Sequence, residues 1–583
     1  MLSPRDRLMP MDLRERGYFD VVLEDVEPGA LYLYRLDGER ERPDPASRSQ
    51  PLGVHGPSQV IDPRFDWQDG AWQGLPLQQY ILYELHVGAF TPEGTFEAVI
   101  PHLRHLTDLG IMAVELMPVA QFPGSRNWGY DGVYPFAAQN TYGGPPGLKR
   151  LVDACHRQGL AVVLDVVHNH LGPEGNYFTD FGPYFTDRYK TPWGPGLNFD
   201  GPESDEVRRF FLESALYWIG EFHVDALRPD AIHAILDHSA FPFLEELGEA
   251  IHRHADASGR RIYAIPESAL NDPRIIRPRE SGGFGLDAQW NDDFHHALRT
   301  LLTGDRAGYY RDFGEFAQLV KAYREGFVYS GEYSPFRRRR HGVSSRAAPA
   351  YQFVVFSHNH DHVGNRMLGE RLCHIVSFED LKLVASLVLL SPFIPLLFMG
   401  EEYGETAPFL YFVSHSDPAL IEAVRRGRKE EFAAFAWLGE PPDPQAEETF
   451  LRSKLNHHLC DEGQHRTLLS FYKELVRLRK DVPALALLSK DHMEVVGLEE
   501  DVVLCVRRWS ENDEVLSLFC LGRTSAVTRL PVPAGRWRKL LDSSEQRWLG
   551  GGGSTPQLLE SGGAASVKLN PRSVVSYRRE QEL

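Results

Sequence analysis

Four carboxylates and one arginine sit where apolar runs of this chain end. Asp165 closes AVVLDVV, Arg228 and Asp230 close VDALRPD, Glu267 closes RIYAIPES, and Asp361 closes YQFVVFSHNHD. One buried acid is compatible with a satisfied core group. Several at one rim need pairing or a task, because an unpaired buried charge is costly. Carboxyls with an arginine are the groups that glycoside hydrolysis uses: one carboxylate stays ionised as nucleophile or base, and a second brings a proton to the leaving oxygen. Asp230 suits the first task, since Arg228, two residues earlier on a strand, points to the same side and favours the charged form. Glu267, which follows Ile265 and Pro266, suits the second. Asp361 suits a hold on sugar hydroxyls that tightens at the transition state.

Polar residues flank these acids: Asn169 and His170 after Asp165, Asn359 and His360 before Asp361. The strings HNH at 168–170 and HNHDH at 358–362 also read as metal-ligand clusters. Neighbouring residues of a strand face opposite sides, however, so HNHDH cannot aim every side chain at one ion. The sequence holds no HExxH and no Cys/His zinc spacing. The expectation is a site with no metal and no cofactor. Aromatic residues crowd the same ends: Trp128, Tyr130, Tyr177, Phe178, Tyr184, Phe185 and Trp193. They suit either ordinary loop packing or stacking on the apolar faces of sugar rings.

Eight compact apolar runs must position these groups. They are ILYELHVGAF, IMAVELMPV, AVVLDVV, VDALRPD, RIYAIPES, LDAQWND, YQFVVFSHNHD and FIPLLFMGEE, with helical stretches between them. Near-continuous hydrophobicity is what parallel strands covered on both faces require. Eight of them over about 400 residues predict an α/β fold, a TIM (β/α)₈ barrel with insertions, and the acids then lie at the C-terminal rim where barrel sites are built. The barrel is expected over residues 76–485. A Gly-, Pro- and Tyr-rich stretch at about 168–205 is too long for an ordinary βα loop and predicts a subdomain beside the site. Residues 1–75, with short apolar runs between Pro and Gly, predict an N-terminal β-sandwich domain, and residues 486–583 a C-terminal one. The run Arg337–Arg340 reads as a solvated loop.

Composition bounds the function. Hydrophobic residues are 42% and charged residues 25%, as in globular proteins. A net charge of −19 argues against a nucleic-acid partner, which requires a basic surface. Five cysteines in no CxxC pair suggest a reducing compartment, and the first twenty residues contain no apolar signal segment. The longest apolar run, LVASLVLLSPFIPLLFMG, is broken by Ser391, Pro392 and Pro395, so it reads as a buried helix followed by a buried strand rather than a membrane span. A cytoplasmic location is the expectation.

These motifs resemble the α-amylase superfamily, glycoside hydrolase family 13, over nearly the full chain. DVVHNH is similar to its first signature, with Asp165, Asn169 and His170. DALRPDAIH is similar to the second, with Arg228 and the nucleophile at Asp230. IPES places the acid/base at Glu267, and SHNHD places His360 and the transition-state aspartate Asp361. NWGYDGVYPF is similar to the segment whose tyrosine, here Tyr130, stacks on the sugar being cleaved. His233, Asn359 and the residues just named are thereby implied as substrate-binding. Within the superfamily, DAIHAI, ESALNDPR, DAQWNDDFHHALRTLLTG, NHDHVGNRMLGERL and LFMGEEYGETAPFLYF are similar to segments of maltooligosyltrehalose trehalohydrolases. That resemblance implies water-driven cleavage of the α-1,4 bond next to a terminal trehalose, and a substrate, maltooligosyltrehalose, made by another enzyme. Calcium-dependent relatives carry Lys-His at the third and fourth positions after the nucleophile. Here those are His233 and Ala234, so the resemblance implies no obligatory calcium.

Pro229 and Pro266 depart from the family pattern; each removes a ladder donor beside a proposed catalytic acid. The segment before residue 76 is shorter than the pattern, without its WAP-like stretch. Two alternatives remain at this stage: a transglycosylase or general α-glucan hydrolase built on the same acids, and a non-catalytic glucan-binding protein.

Overall fold

Each apolar run contains one strand of a parallel sheet: β1 Leu82–Leu85, β2 Ala113–Leu116, β3 Ala161–Val166, β4 Ala226–Pro229, β5 Tyr263–Ala264, β6 Gln289–Trp290, β7 Phe353–Phe356 and β8 Ile394–Phe398. The structure is a computed structural model that describes residues 6–434 and 440–580. The strand order is β5-β4-β3-β2-β1-β8-β7-β6. The two ends of that order meet. The Asp287 N–H donates to the Ala264 carbonyl (3.0 Å) and the Trp290 N–H to the Pro266 carbonyl (3.1 Å), so the sheet closes into a barrel.

Two layers of apolar side chains follow from the period-two alternation of the strands. Leu82, Ala113, Val163, Ala226, Ile265, Trp290, Val354 and Leu396 fill the interior of the ring. Their neighbours, such as Tyr83, Val114, Leu164, Leu227 and Leu397, pack outward against the helices. Helix Leu103–Leu109 stops at Gly110, whose φ of 95° lets its N–H reach back to the Leu106 and Thr107 carbonyls. Helix Phe378–Leu389 starts with a capping box between Ser377 and Asp380. It forms the first half of the long apolar run, and β8 forms the second, as the sequence predicts. Among the described residues no helix is long and apolar enough to cross a membrane.

Residues 168–205 leave the ring after β3 and form a hairpin, Phe185–Thr191 with Gly194–Leu197, before helix Ser204–Phe222. Before the ring, the described chain makes three short antiparallel pairs: Asp12–Leu13 with Phe19–Asp20, Leu31–Tyr32 with Ser58–Gln59, and Tyr34–Leu36 with Arg40–Arg42. After it, a six-stranded antiparallel sheet and a two-stranded one share a core that includes Val503, Leu516, Leu530, Trp537, Val567 and Tyr577. Two buried arginines, Arg508 on this sheet and Arg479 on the barrel helix Gly463–Asp481, meet at the turn before β8. Arg508 donates to the carbonyls of Leu390, Ser391 and Leu485, each at 3.0 Å, and Arg479 donates to those of Leu389 and Ser391, both at 2.9 Å.

The arginine run divides. Arg338, Arg339 and Arg340 are exposed, with Arg339–Arg340 paired to Tyr333–Ser334. Arg337 departs from the solvated reading: it is half-buried, 3.9 Å from Asp312, and turned toward the loop after β5, where it reaches the Ala269 carbonyl (3.4 Å).

Candidate active site

Parallel strands in a closed ring all end on the same side, so acids at their last residues converge. Arg228 is the point of convergence. Its side chain is fully buried. Nη1 donates to Asp165 Oδ2 (2.7 Å) and Asp230 Oδ1 (2.8 Å), and Nη2 donates to Glu267 Oε2 (2.8 Å). The register explains the first pair, since Asp165 on β3 lies opposite Arg228 on β4. The two-residue strand repeat explains the second, and β5 brings the third. Burial alone would lower the arginine's pKa, but the surrounding carboxylates and Tyr130 more than reverse it. Burial pushes the Asp165 carboxyl up to about 7 against the pull of Arg228.

A hydrogen-bonded chain runs from this cluster across the ring. The Tyr130 hydroxyl donates to Asp165 Oδ2 (2.7 Å) and lies 2.7 Å from His360 Nε2. Glu84 on β1 accepts from His360 Nδ1 and from its backbone N–H. Burial would lower the His360 pKa, but Glu84 and Asp361 raise it to about 9. The imidazole is therefore a cation at neutral pH, donating at both nitrogens. The Tyr130 ring lies parallel to that imidazole at 5.3 Å. Its neighbour Gly129 has φ 108° and no room for a side chain, because a Cβ would meet the Pro118 carbonyl at 2.2 Å.

Asp230 is held on its other side by Asn169, whose amide donates to Asp230 Oδ2 (2.8 Å) and to its carbonyl (2.7 Å). His170 bonds Asn169 Oδ1 through Nδ1 and the Tyr130 carbonyl through Nε2 (2.9 Å). Ala231 follows Asp230 in the left-handed region, at φ 39° and ψ 49°, and from there its N–H donates to Glu267 Oε2 (3.0 Å). Asp361 lies 3.5 Å from His360 and accepts from Asn365 (3.2 Å); burial and the Glu267 charge raise its pKa against the pull of His360.

The prolines leave this geometry intact. Each lacks an N–H, yet both carbonyls stay in the ladder: Pro229 accepts from the Glu267 N–H (3.1 Å) and Pro266 from the Trp290 N–H (3.1 Å). The Asp230 N–H donates to the Val166 carbonyl (2.9 Å). Both acids are thus anchored by their own backbone amides.

Two named residues stand apart from the carboxylate cluster. Asn359 caps helix His360–Gly364 by accepting from the His362 N–H (3.1 Å). His233 turns toward the loop after β5, where Nδ1 accepts from the Ala269 N–H (3.4 Å). The aromatics also divide. Trp193 stacks on His170 with centroids 4.4 Å apart, but Phe178 and Tyr184 pack on Phe210, and Trp128 on Phe409, as loop packing requires. The metal-like strings disperse: His168 lies against Phe211, His170 against Trp193, His358 beside Ser357, His360 on Glu84 and His362 on His295.

The structure adds residues that the motifs leave out. Trp290 lies beneath Arg228, with its ring centroid 4.2 Å from Cζ. Glu84 and Glu115 oppose each other on β1 and β2; Glu115 is buried with neither oxygen hydrogen-bonded, and burial followed by the Glu84 charge drives its pKa well up. Asp292 follows β6, and burial with the Glu267 and Asp361 charges raises its pKa well above the carboxylate range. A carboxylate that interrupts an apolar run was the available signal for the two glutamates.

With this geometry in place, comparison with known proteins is direct. The family model for the alpha amylase catalytic domain matches residues 59–193. A malto-oligosyltrehalose trehalohydrolase of Saccharolobus solfataricus is 51% identical over 471 residues, which cover 81% of each chain. One of Arthrobacter ramosus is 48% identical, covering 78% of this chain and 79% of its own. A crystal structure of a Salmonella typhimurium protein described as an alpha amylase superposes with a TM-score of 0.87 at 39% identity, covering 98% of this chain and 94% of its own. The chain therefore belongs to the malto-oligosyltrehalose trehalohydrolase family of the α-amylase superfamily.

Proposed function

We propose that this enzyme hydrolyses the α-1,4-glucosidic bond next to the terminal trehalose of maltooligosyltrehalose and releases trehalose with retention of configuration. The observation that supports it most is the single guanidinium of Arg228, which holds Asp165, Asp230 and Glu267 at three adjacent strand ends of a chain in this family. Asp230 attacks the anomeric carbon as Glu267 gives its proton to the leaving oxygen; the glucosidic bond breaks and a β-glycosyl enzyme forms. Glu267 then takes a proton from water, the hydroxyl adds to the anomeric carbon, and Asp230 departs. Neighbouring nitrogens of one guanidinium suit the close carboxyl pair, about 5–5.5 Å apart, of retaining enzymes. Asp361 and His360 hold hydroxyls of the reacting sugar, Tyr130 stacks beneath it, and Asn169, His170, His233 and Asn359 line or brace its subsite.

We read residues 1–75 as an N-terminal β-sandwich domain, 76–485 as the barrel with its inserted subdomain at about 168–205, and 486–583 as the C-terminal β-sandwich domain. The five cysteines are all free, which supports a cytoplasmic enzyme. Its substrate must come from an enzyme that forms maltooligosyltrehalose. The test is sugar analysis after incubation with maltotriosyltrehalose and, in parallel, maltopentaose. Trehalose and maltotriose from the first, with slow cleavage of the second, supports the reading. Equal cleavage of both makes the enzyme a general α-glucan hydrolase, and longer chains in place of shorter ones make it a transglycosylase.

A further inference from the structure

Two aspartates follow β6 side by side, and the fold treats them differently. Asp293 is saturated: Oδ2 accepts from the Asn271 amide (2.7 Å) and from the N–H groups of Val328 and Tyr329 (both 2.8 Å). Asp292 accepts no hydrogen bond from the described residues. The nearest basic side chain is His362, with Nε2 3.8 Å from Oδ1, but burial drives the His362 pKa well down and leaves that imidazole neutral; a quarter of the Asp292 side chain (26%) is open to solvent. The strand alternation fixes its direction. Trp290 faces the barrel axis under Arg228, and Asn291 faces away and bonds the Gly326 carbonyl (2.9 Å). Asn291 keeps an extended backbone (φ −125°, ψ 86°), so Asp292, the first residue of the helix that follows, leaves on the side of Trp290. Position in the ring fixes its neighbours. β6 lies beside β5, and the charges that act most on Asp292 are those of Glu267 and Asp361, not that of Asp230.

We propose that Asp292 is a specificity residue on the leaving-group side of the cleft, accepting hydroxyl hydrogen bonds from the sugar that departs when Glu267 protonates the glucosidic oxygen. This rests on the hydrolase reading above. Glu267 stands over the leaving oxygen in that reaction, so the carboxylate beyond Glu267 from Asp230 faces the departing sugar. Without a ligand, burial and the Glu267 and Asp361 charges favour the protonated acid, and no protein donor supports the ionised form; hydroxyl donors from a sugar supply that support and turn Asp292 into an accepting carboxylate. Vicinal sugar hydroxyls supply two donors in the geometry that a carboxylate accepts.

The experiment compares two substrates with the same donor-side sugars: maltotriosyltrehalose, which releases trehalose, and 4-nitrophenyl α-maltotrioside, which releases a phenolate without hydroxyls. In Asp292→Ala and the isosteric Asp292→Asn, the ratio of kcat/KM for the first to that for the second falls by about 10–100-fold, the scale of a lost charged hydrogen bond. The inhibition constant for added trehalose rises by a similar factor. An equal loss on both substrates, or no loss on either, overturns the proposal. Failure of the underlying reading shows separately, in the unsubstituted enzyme, as no preference for maltotriosyltrehalose over maltopentaose. Maltopentaose then replaces it in the ratio, which still reports on the departing sugar. A melting temperature within a few degrees of the parent keeps folding out of the comparison.

Discussion

The Trp290 ring lies face-on to Arg228, 4.2 Å from centroid to Cζ, so the cation that binds three carboxylates is also seated on an aromatic floor. The ring fixes the plane of the guanidinium, and the plane fixes where Asp165, Asp230 and Glu267 are held. Replacing Trp290 with Leu should lower kcat by about tenfold, as expected for a buried cation–π contact. Arg228→Lys should cost roughly 10³-fold, because one ammonium cannot replace the two-nitrogen fork. Steady-state kinetics on maltotriosyltrehalose measures both. A smaller loss for Arg228→Lys than for Trp290→Leu would contradict the seating argument.

The roles assigned to the two reacting carboxyls separate by leaving group. Asp230→Asn should reduce turnover on the order of 10⁴-fold with every substrate. Glu267→Gln should reduce it by about 10²–10⁴-fold with maltotriosyltrehalose, but far less in the first step with 4-nitrophenyl α-maltotrioside, whose phenolate needs no proton. Proton NMR at early times should show the α-anomer of the released maltotriose. An initial β-anomer would mean direct attack by water.

His360 sets an upper pH limit. Its folded pKa of about 9 lies above the ordinary value of 6.5. A raised histidine adds stability that is complete below about 6.5 and is lost as pH rises through about 9, on the order of 3 kcal/mol in all. Loss of that proton also removes the donor to Tyr130 and loosens the path to Asp165. The kcat/KM profile should therefore fall on the alkaline side near 9. Glu84→Gln should move that limb to lower pH. A limb that stays in place in this variant would separate it from His360.

Ala231 stands in the left-handed region, which costs a residue with a Cβ about 1–2 kcal/mol. Ala231→Gly should therefore raise stability by about 0.5–1 kcal/mol in denaturant titration, less than the full strain because glycine also gains freedom when unfolded. It should lower kcat several-fold, since the Ala231 N–H holds Glu267. A variant both more stable and more active would mean that this strain serves no purpose.

The rim acids were legible in the sequence because strand ends can be read from where hydrophobic runs stop, and a parallel ring points all those ends one way. Asp165, Arg228, Asp230 and Glu267 need only that rule. Asp292 also closes a run, LDAQWND, but an Asp-Asp pair at the start of helix Asp292–Thr303 reads equally as ordinary charge at a helix N-terminus, and only the contacts show that Asp293 takes three hydrogen bonds and the Asp292 side chain none. Glu84 and Glu115 required the register that sets them opposite each other. Arg337 was hidden by its exposed neighbours, since composition cannot distinguish one arginine of a run from the next. Among the aromatics, Phe178 and Tyr184 are common to any long loop that needs a core of its own, so their types did not separate packing from binding.

The Ser391 carbonyl accepts from Arg479, on the helix Gly463–Asp481, and from Arg508, on the strand Val503–Ser510. One oxygen thus joins the turn before β8, the helix after it and the sheet beyond. The C-terminal sheet is for that reason not a detachable module. A chain cut near residue 486 would strip the Leu390 carbonyl of the Arg508 donor, leave Ser391 with one of its two, and uncover the apolar face on which Leu504, Val506, Phe519 and Val574 pack. Barrel and sheet should melt as one cooperative unit, and exchanging the sheet for that of a relative would work only if a matching arginine came with it.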